Sequence, residues 1–204
     1  GPTLTDGGFF RPVLSDESAR PDCRLRHAAC AIATPPWVQL PPTAPAHLPS
    51  VLVLGGSHSS LNRGDPIAGG LKRLLVLSFL TEDGSLVKWS EAPALGTAPE
   101  SIWHHQCGAY GNGSRVVVFG GDFLDSDDEY GRIEDRSTPM LVYVLNVETS
   151  EWRPVTCSCQ AGNGSSVPEW RSLHASCVVS TTRASSKARE ELLILAGSAE
   201  HVAA

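Results

Sequence analysis

Apolar residues along this chain fall in short, unbroken runs rather than in helical stripes. The runs at 51–56 (VLVLGG), 74–80 (LLVLSFL), 116–121 (VVVFGG), 140–147 (MLVYVLNV) and 191–197 (ELLILAG) are rich in Val, Leu, Ile and aromatics. Gly, Asn, Asp or Pro bounds most of them, so each predicts a β-strand closed by a turn. No segment of 12 or more residues carries a convincing 3.6-residue period. The stretch 183–191 (RASSKAREE) has no apolar stripe and reads as a solvated loop.

Two of these runs end in a glycine pair, which has two physical readings. A strand running into glycines opens many phosphate-binding loops, where backbone N–H groups stay free for an anion. Glycines also stand where two backbones crowd and a Cβ has no room. Repetition favours the second reading. Three segments share an H-x-x-C kernel: 24–30 (RLRHAAC), 101–107 (SIWHHQC) and 171–177 (RSLHASC). Each precedes an apolar run closing on small residues, at 52–57 (LVLGGS), 117–122 (VVFGGD) and 193–198 (LILAGS). After the first two come a further apolar strand and then an aromatic, Trp89 or Trp152. Phe10-Arg11-Pro12-Val13 echoes Trp152-Arg153-Pro154-Val155, so the same order reaches the N-terminal region.

This order resembles the kelch repeat over nearly the whole chain, from about residue 9 to 198. The repeats here are about 65–77 residues long against the usual ~50. The third glycine pair is replaced by Ala196-Gly197, and Tyr143 lies only close to the tyrosine position of the family. The resemblance implies an all-β fold, a β-propeller of four-stranded antiparallel blades around a channel. It divides the chain into an outer strand of a preceding blade plus connector (1–23), two blades (24–91 and 101–155) and the inner strands of a further blade (171–204). About two and a half blades cannot close a ring of four to eight, so further blades of the same longer chain are expected as partners. In this frame Gly55, Gly56, Gly120, Gly121 and Gly197 mark strand ends. His27, His104 and His174 are expected to bond backbone between blades, with Cys30, Cys107 and Cys177 as small buried hydrophobes. Trp89 and Trp152 are expected to fill the space between blades.

Composition narrows the function. The 204 residues carry a formal net charge of −6, so no overall basic field draws the chain to nucleic acid or anionic lipid. No apolar run approaches the ~20 residues of a membrane-spanning helix. The first residue is Gly rather than Met, and Gly1-Pro2 reads as a cloning remnant or as the start of an excerpt. Six cysteines are too few for a disulfide-built domain of this length. Asn112-Gly113-Ser114 and Asn163-Gly164-Ser165 match the glycosylation pattern but read first as tight turns.

No catalytic set assembles, and neither a metal nor a cofactor is expected. Residues three apart on a strand face opposite ways, so an H-x-x-C strand cannot hold one zinc ion. Cys157 and Cys159 share a face without further ligands at suitable spacing. Asp125, Asp127 and Glu129 alternate as in a calcium loop, but Tyr130 and Arg136 stand where its glycine and closing glutamate belong. A copper oxidase of galactose-oxidase type would need Tyr and His side chains converging at the channel, and only His104, His105 and Tyr110 form a loose cluster.

The informative features are two insertions of about 17 residues after the glycine pairs, 57–73 and 122–139. The first is mildly basic and the second strongly acidic. Long loops on a rigid scaffold commonly carry recognition. The candidate partner-binding residues are Asp122, Asp125, Asp127, Asp128, Glu129 and Tyr130, with Arg63 on the neighbouring loop. The expected function is a non-enzymatic protein-interaction module (adaptor, scaffold or ubiquitin-ligase substrate receptor), in the cytoplasm or nucleus, binding another protein. The alternative is a propeller-fold enzyme, or a propeller appended to a catalytic domain.

Overall fold

In the computed structural model the described residues are 13–14, 24–56, 70–98, 102–123, 142–156, 175–181 and 189–195. They form fourteen strands and one short 3-10 turn, Gly70–Lys72, with no α-helix among the described residues. The strands are β1 (Val13–Leu14), β2 (Ala28–Ile32), β3 (Ser50–Leu54), β4 (Arg73–Phe79), β5 (Leu86–Pro93), β6 (Leu95–Gly96) and β7 (Ile102–Trp103). They continue with β8 (Gln106–Tyr110), β9 (Arg115–Phe119), β10 (Asp122–Phe123), β11 (Val142–Asn146), β12 (Glu151–Val155), β13 (Ala175–Thr181) and β14 (Arg189–Leu195). The fold is all-β and its sheets are antiparallel apart from two short edge strands.

The first sheet is an antiparallel meander, β2-β3-β4-β5, and the second repeats it as β8-β9-β11-β12. A third, two-stranded sheet pairs β13 with β14, from Ala175↔Leu195 to Thr181↔Arg189. The strand therefore begins at Arg189, inside the polar stretch expected to be a loop. Backbone pairing with β13 carries the three polar residues Arg189, Glu190 and Glu191, opposite Thr181, Ser180 and Val179. Each meander also gains a parallel strand at its outer edge. β1 runs beside β5 through Val13↔Leu86, and β6 runs beside β12 through Leu95↔Glu151. The N-terminal segment read as an outer strand thus lies, in its described part, along the first sheet.

Alternation along the strands builds the core. In the first sheet Leu52, Leu54, Leu74 and Val76 turn one way; in the second Val116, Val118, Leu145 and Trp152 turn to meet them. These residues are at most 1% exposed. Polar groups within the first sheet are paired: Ser50 and Ser78 share a 2.8 Å hydroxyl contact, and Ser50 makes another with Thr34. The β8–β9 turn carries Asn112 at φ 56° and Gly113 at φ 80°, the left-handed pair that Asn-Gly supplies. Gly113 accepts a 3.1 Å bond from the Ala33 N–H, so the turn docks on the first sheet.

At the outer edge Arg73 donates to both carboxylate oxygens of Glu91, at 2.6 and 2.8 Å. These bonds hold the Glu91 carboxyl below the ordinary glutamate value of 4.5. A depressed folded-state pKa contributes stability that is present above that value and lost as pH falls through the folded one. Because both side chains are over a third exposed, the loss is at most about 1 kcal/mol. Urea unfolding of the native chain and of Glu91→Gln at a series of pH values from 7 downward should show the difference at pH 7 shrink once the pH falls below 4.5.

Candidate functional site

The two long insertions leave the fold side by side. β3 ends at Gly55-Gly56 and β9 at Gly120-Gly121, all four at positive φ between 59° and 100°. Beyond Gly121 the chain turns into β10, which pairs antiparallel with β7: Asp122 opposite Trp103 and Phe123 opposite Ile102. β7 is in turn bound to the first glycine pair, since the Gly56 N–H donates to the Ile102 carbonyl at 2.9 Å. One small patch of backbone therefore anchors the start of both loops.

The crowding explains the first glycine pair. A Cβ on Gly55 would sit 2.6 Å from the Ile102 carbonyl oxygen and 2.7 Å from His105 Cε1. One on Gly56 would sit 2.7 Å from the Leu25 carbonyl oxygen. The Gly56 N–H is spent on the Ile102 carbonyl rather than left open to an anion, and both glycines stand where backbones crowd, which favours the steric reading at this pair.

The floor between the loop roots is made by the segments that precede β2 and β8. Arg24 Nη1 donates to the Gly55 carbonyl at 3.2 Å, and the His104 N–H donates to the Arg26 carbonyl at 3.2 Å. Leu25, Arg26 and His27 are exposed; Leu25, at 42%, is an apolar side chain held at the surface. Of these, sequence pointed to His27 alone, as a histidine bonding backbone between blades, and not to Arg24, Leu25 or Arg26 as part of a site. The available signal was the RLRH run itself, but its geometry depends on Arg26 standing at φ 60°, which its residue type does not announce.

Strand register also corrects the repeat. Ala28 pairs with Leu54, just before Gly55, and Gln106 pairs with Phe119, just before Gly120. His27 therefore corresponds to His105, and Arg26 to His104; the latter two share a positive φ, 60° and 55°. The shared H-x-x-C spacing is one residue out of phase with the fold in the second repeat. His105 is 1% exposed, whereas His27 is exposed and His104 half-buried. Tyr110 lies at the other end of β8 from His105, about 16 Å along an extended strand, so His104, His105 and Tyr110 do not converge.

Trp152 is 1% exposed and its indole N–H donates at 2.8 Å to the Leu71 carbonyl, in the 3-10 turn that leads into β4. Trp89 is half-buried, on the face of the first sheet opposite the second. Cys107 is buried and Cys30 half-buried, while Cys177 is exposed, unlike the buried position expected for it. Among the described residues β13 has β14 alone as its sheet neighbour. Arg63, Asp125, Asp127, Asp128, Glu129, Tyr130, Cys157, Cys159, His174 and Gly197 lie outside the described residues, and of Asp122 only the backbone is described. Among the described residues no three His, Cys, Asp or Glu side chains gather as metal ligands, and no helix is long and apolar enough to cross a membrane.

No family model and no curated protein matches this chain. Among solved structures it is similar to a chain in "Cryo-EM structure of RAG in complex with one melted RSS and one unmelted RSS", with a TM-score of 0.50 and 15% identity. The match covers 91% of this chain and 56% of that one, so this chain spans little more than half the length of its structural neighbour. At such identity the likeness concerns the fold alone.

Proposed function

We propose that the chain is a run of kelch-type propeller blades acting as a protein-interaction module, with partner recognition on the face where the two insertions emerge. The observation that carries this reading is the common anchor of the loop roots through Gly56, Ile102 and Phe123. Rigid strands there present two long segments of opposite charge beside an exposed Leu25, Arg26 and His27. A mixed charged and apolar surface of this kind suits a protein partner. The repeated meander, the outer-edge strands and a structural neighbour that extends well beyond the matched region support a longer series of blades.

Replacing 124–139 by a short Gly-Ser linker, which keeps β10, should abolish capture of the partner retained by the intact chain, with the circular-dichroism spectrum unchanged. An unchanged set of captured proteins would remove the acidic loop from recognition. Stoichiometric copper or zinc in the purified full-length protein would overturn the non-enzymatic reading.

A further inference from the structure

The one-residue shift between the repeats has a chemical consequence. Cys30 pairs with Leu52 and shares the first-sheet face that looks toward the second sheet. Cys107 pairs with Val118 and shares the second-sheet face that looks back. Had the H-x-x-C kernels been in phase, both thiols would point the same way around the repeat and never meet. Out of phase, they face each other across the seam where β2 packs on β8, Cys30 lying against the buried cluster that contains Cys107.

We propose that Cys30 and Cys107 form a redox-sensitive cross-link, a disulfide between adjacent sheets made by exchange with a low-molecular-weight disulfide. Cys30 is half-buried and Cys107 buried, which fixes the order of events. The Cys30 thiol, as thiolate, attacks one sulfur of the external disulfide RSSR and releases one RSH, leaving a mixed disulfide Cys30–S–S–R. Cys107 then attacks the Cys30 sulfur; the S–S bond to R breaks, and the second RS⁻ takes up the proton that Cys107 loses. Both protein thiols are oxidised and one RSSR is reduced to two RSH. Cys107 is a poor target for outside reagents, because Cys30 beside it and burial both push its thiol pKa up. Its role is to resolve the adduct on its neighbour.

The test is peptide mapping of the intact chain after oxidised glutathione, with free thiols then alkylated. Trypsin releases Cys30 in 27–63 and Cys107 in 89–115, each peptide with a single cysteine, so a linked pair is unambiguous. The expected result is a linked 27–63/89–115 species lost on reduction, while exposed Cys177 carries glutathione and shows that the reagent acted. Glutathione on Cys30 should rise about tenfold in Cys107→Ser, where nothing resolves it. In Cys30→Ser, Cys107 should stay unmodified. A Cys30 adduct in the native chain as abundant as in Cys107→Ser, without the linked species, overturns the proposal. So does an unmodified Cys30 beside a modified Cys177.

Discussion

Trp152→Ala is expected to destabilise the chain by about 3–5 kcal/mol. The ring is 1% exposed and belongs to the cluster joining the two meanders, so its removal opens a cavity between sheets rather than within one. The Leu71 carbonyl also loses its 2.8 Å indole donor inside that cavity. A buried acceptor left without a partner costs about 1–3 kcal/mol. Trp152→Phe separates the two contributions, since it fills most of the volume and cannot donate. Trp89→Ala is the internal comparison. It removes the same side chain from the corresponding outer strand, but from a half-buried position, and should cost clearly less. Urea unfolding followed by circular dichroism gives all three values. Equal losses for Trp152→Ala and Trp89→Ala would show that the inter-sheet contact is not where the stability resides.

The contrast between these tryptophans bears on what the sequence made legible. Both were readable as repeat aromatics, because a large ring after an apolar strand recurs in order along the chain. Their difference in burial was not readable, since it depends on whether another sheet lies against the ring. The strands were legible for a simple reason: runs such as Val116–Phe119 bury both faces and carry few polar residues to blur their limits. Register was less so. His104 and His105 are adjacent, and the spacing to Cys107 favoured His104, whereas backbone pairing aligns His105 with His27. A slip of one residue reverses the face of every side chain, which is why Cys107 turns toward the first sheet while Cys30 turns toward the second. In the floor of the candidate site, Arg24, Leu25 and Arg26 were not legible, because its shape comes from a positive φ at Arg26 and from bonds to segments far along the chain.

Gly55→Ala is the second large effect, expected at about 2–5 kcal/mol, and it tests the steric account of the glycine pair. Two costs combine. At φ +59° an L-residue is strained by about 1–2 kcal/mol. The new methyl would also lie 2.6 Å from the Ile102 carbonyl oxygen, a backbone atom that cannot swing aside as a side-chain end would. Relieving that contact means moving β7 away and stretching the bond from the Gly56 N–H, so overpacking adds about 1–3 kcal/mol. Gly84→Ala isolates the first cost. Gly84 has a similar φ of +68°, yet the nearest atoms to its missing Cβ are carbons of Phe79 at 3.7 and 3.8 Å, an ordinary contact. It should lose only the conformational part. The difference between the two variants, read from urea midpoints at a common slope, measures the crowding between β3 and β7. If both lose the same amount, the glycines serve backbone conformation alone. The close approach that anchors the two loop roots would then add nothing to stability.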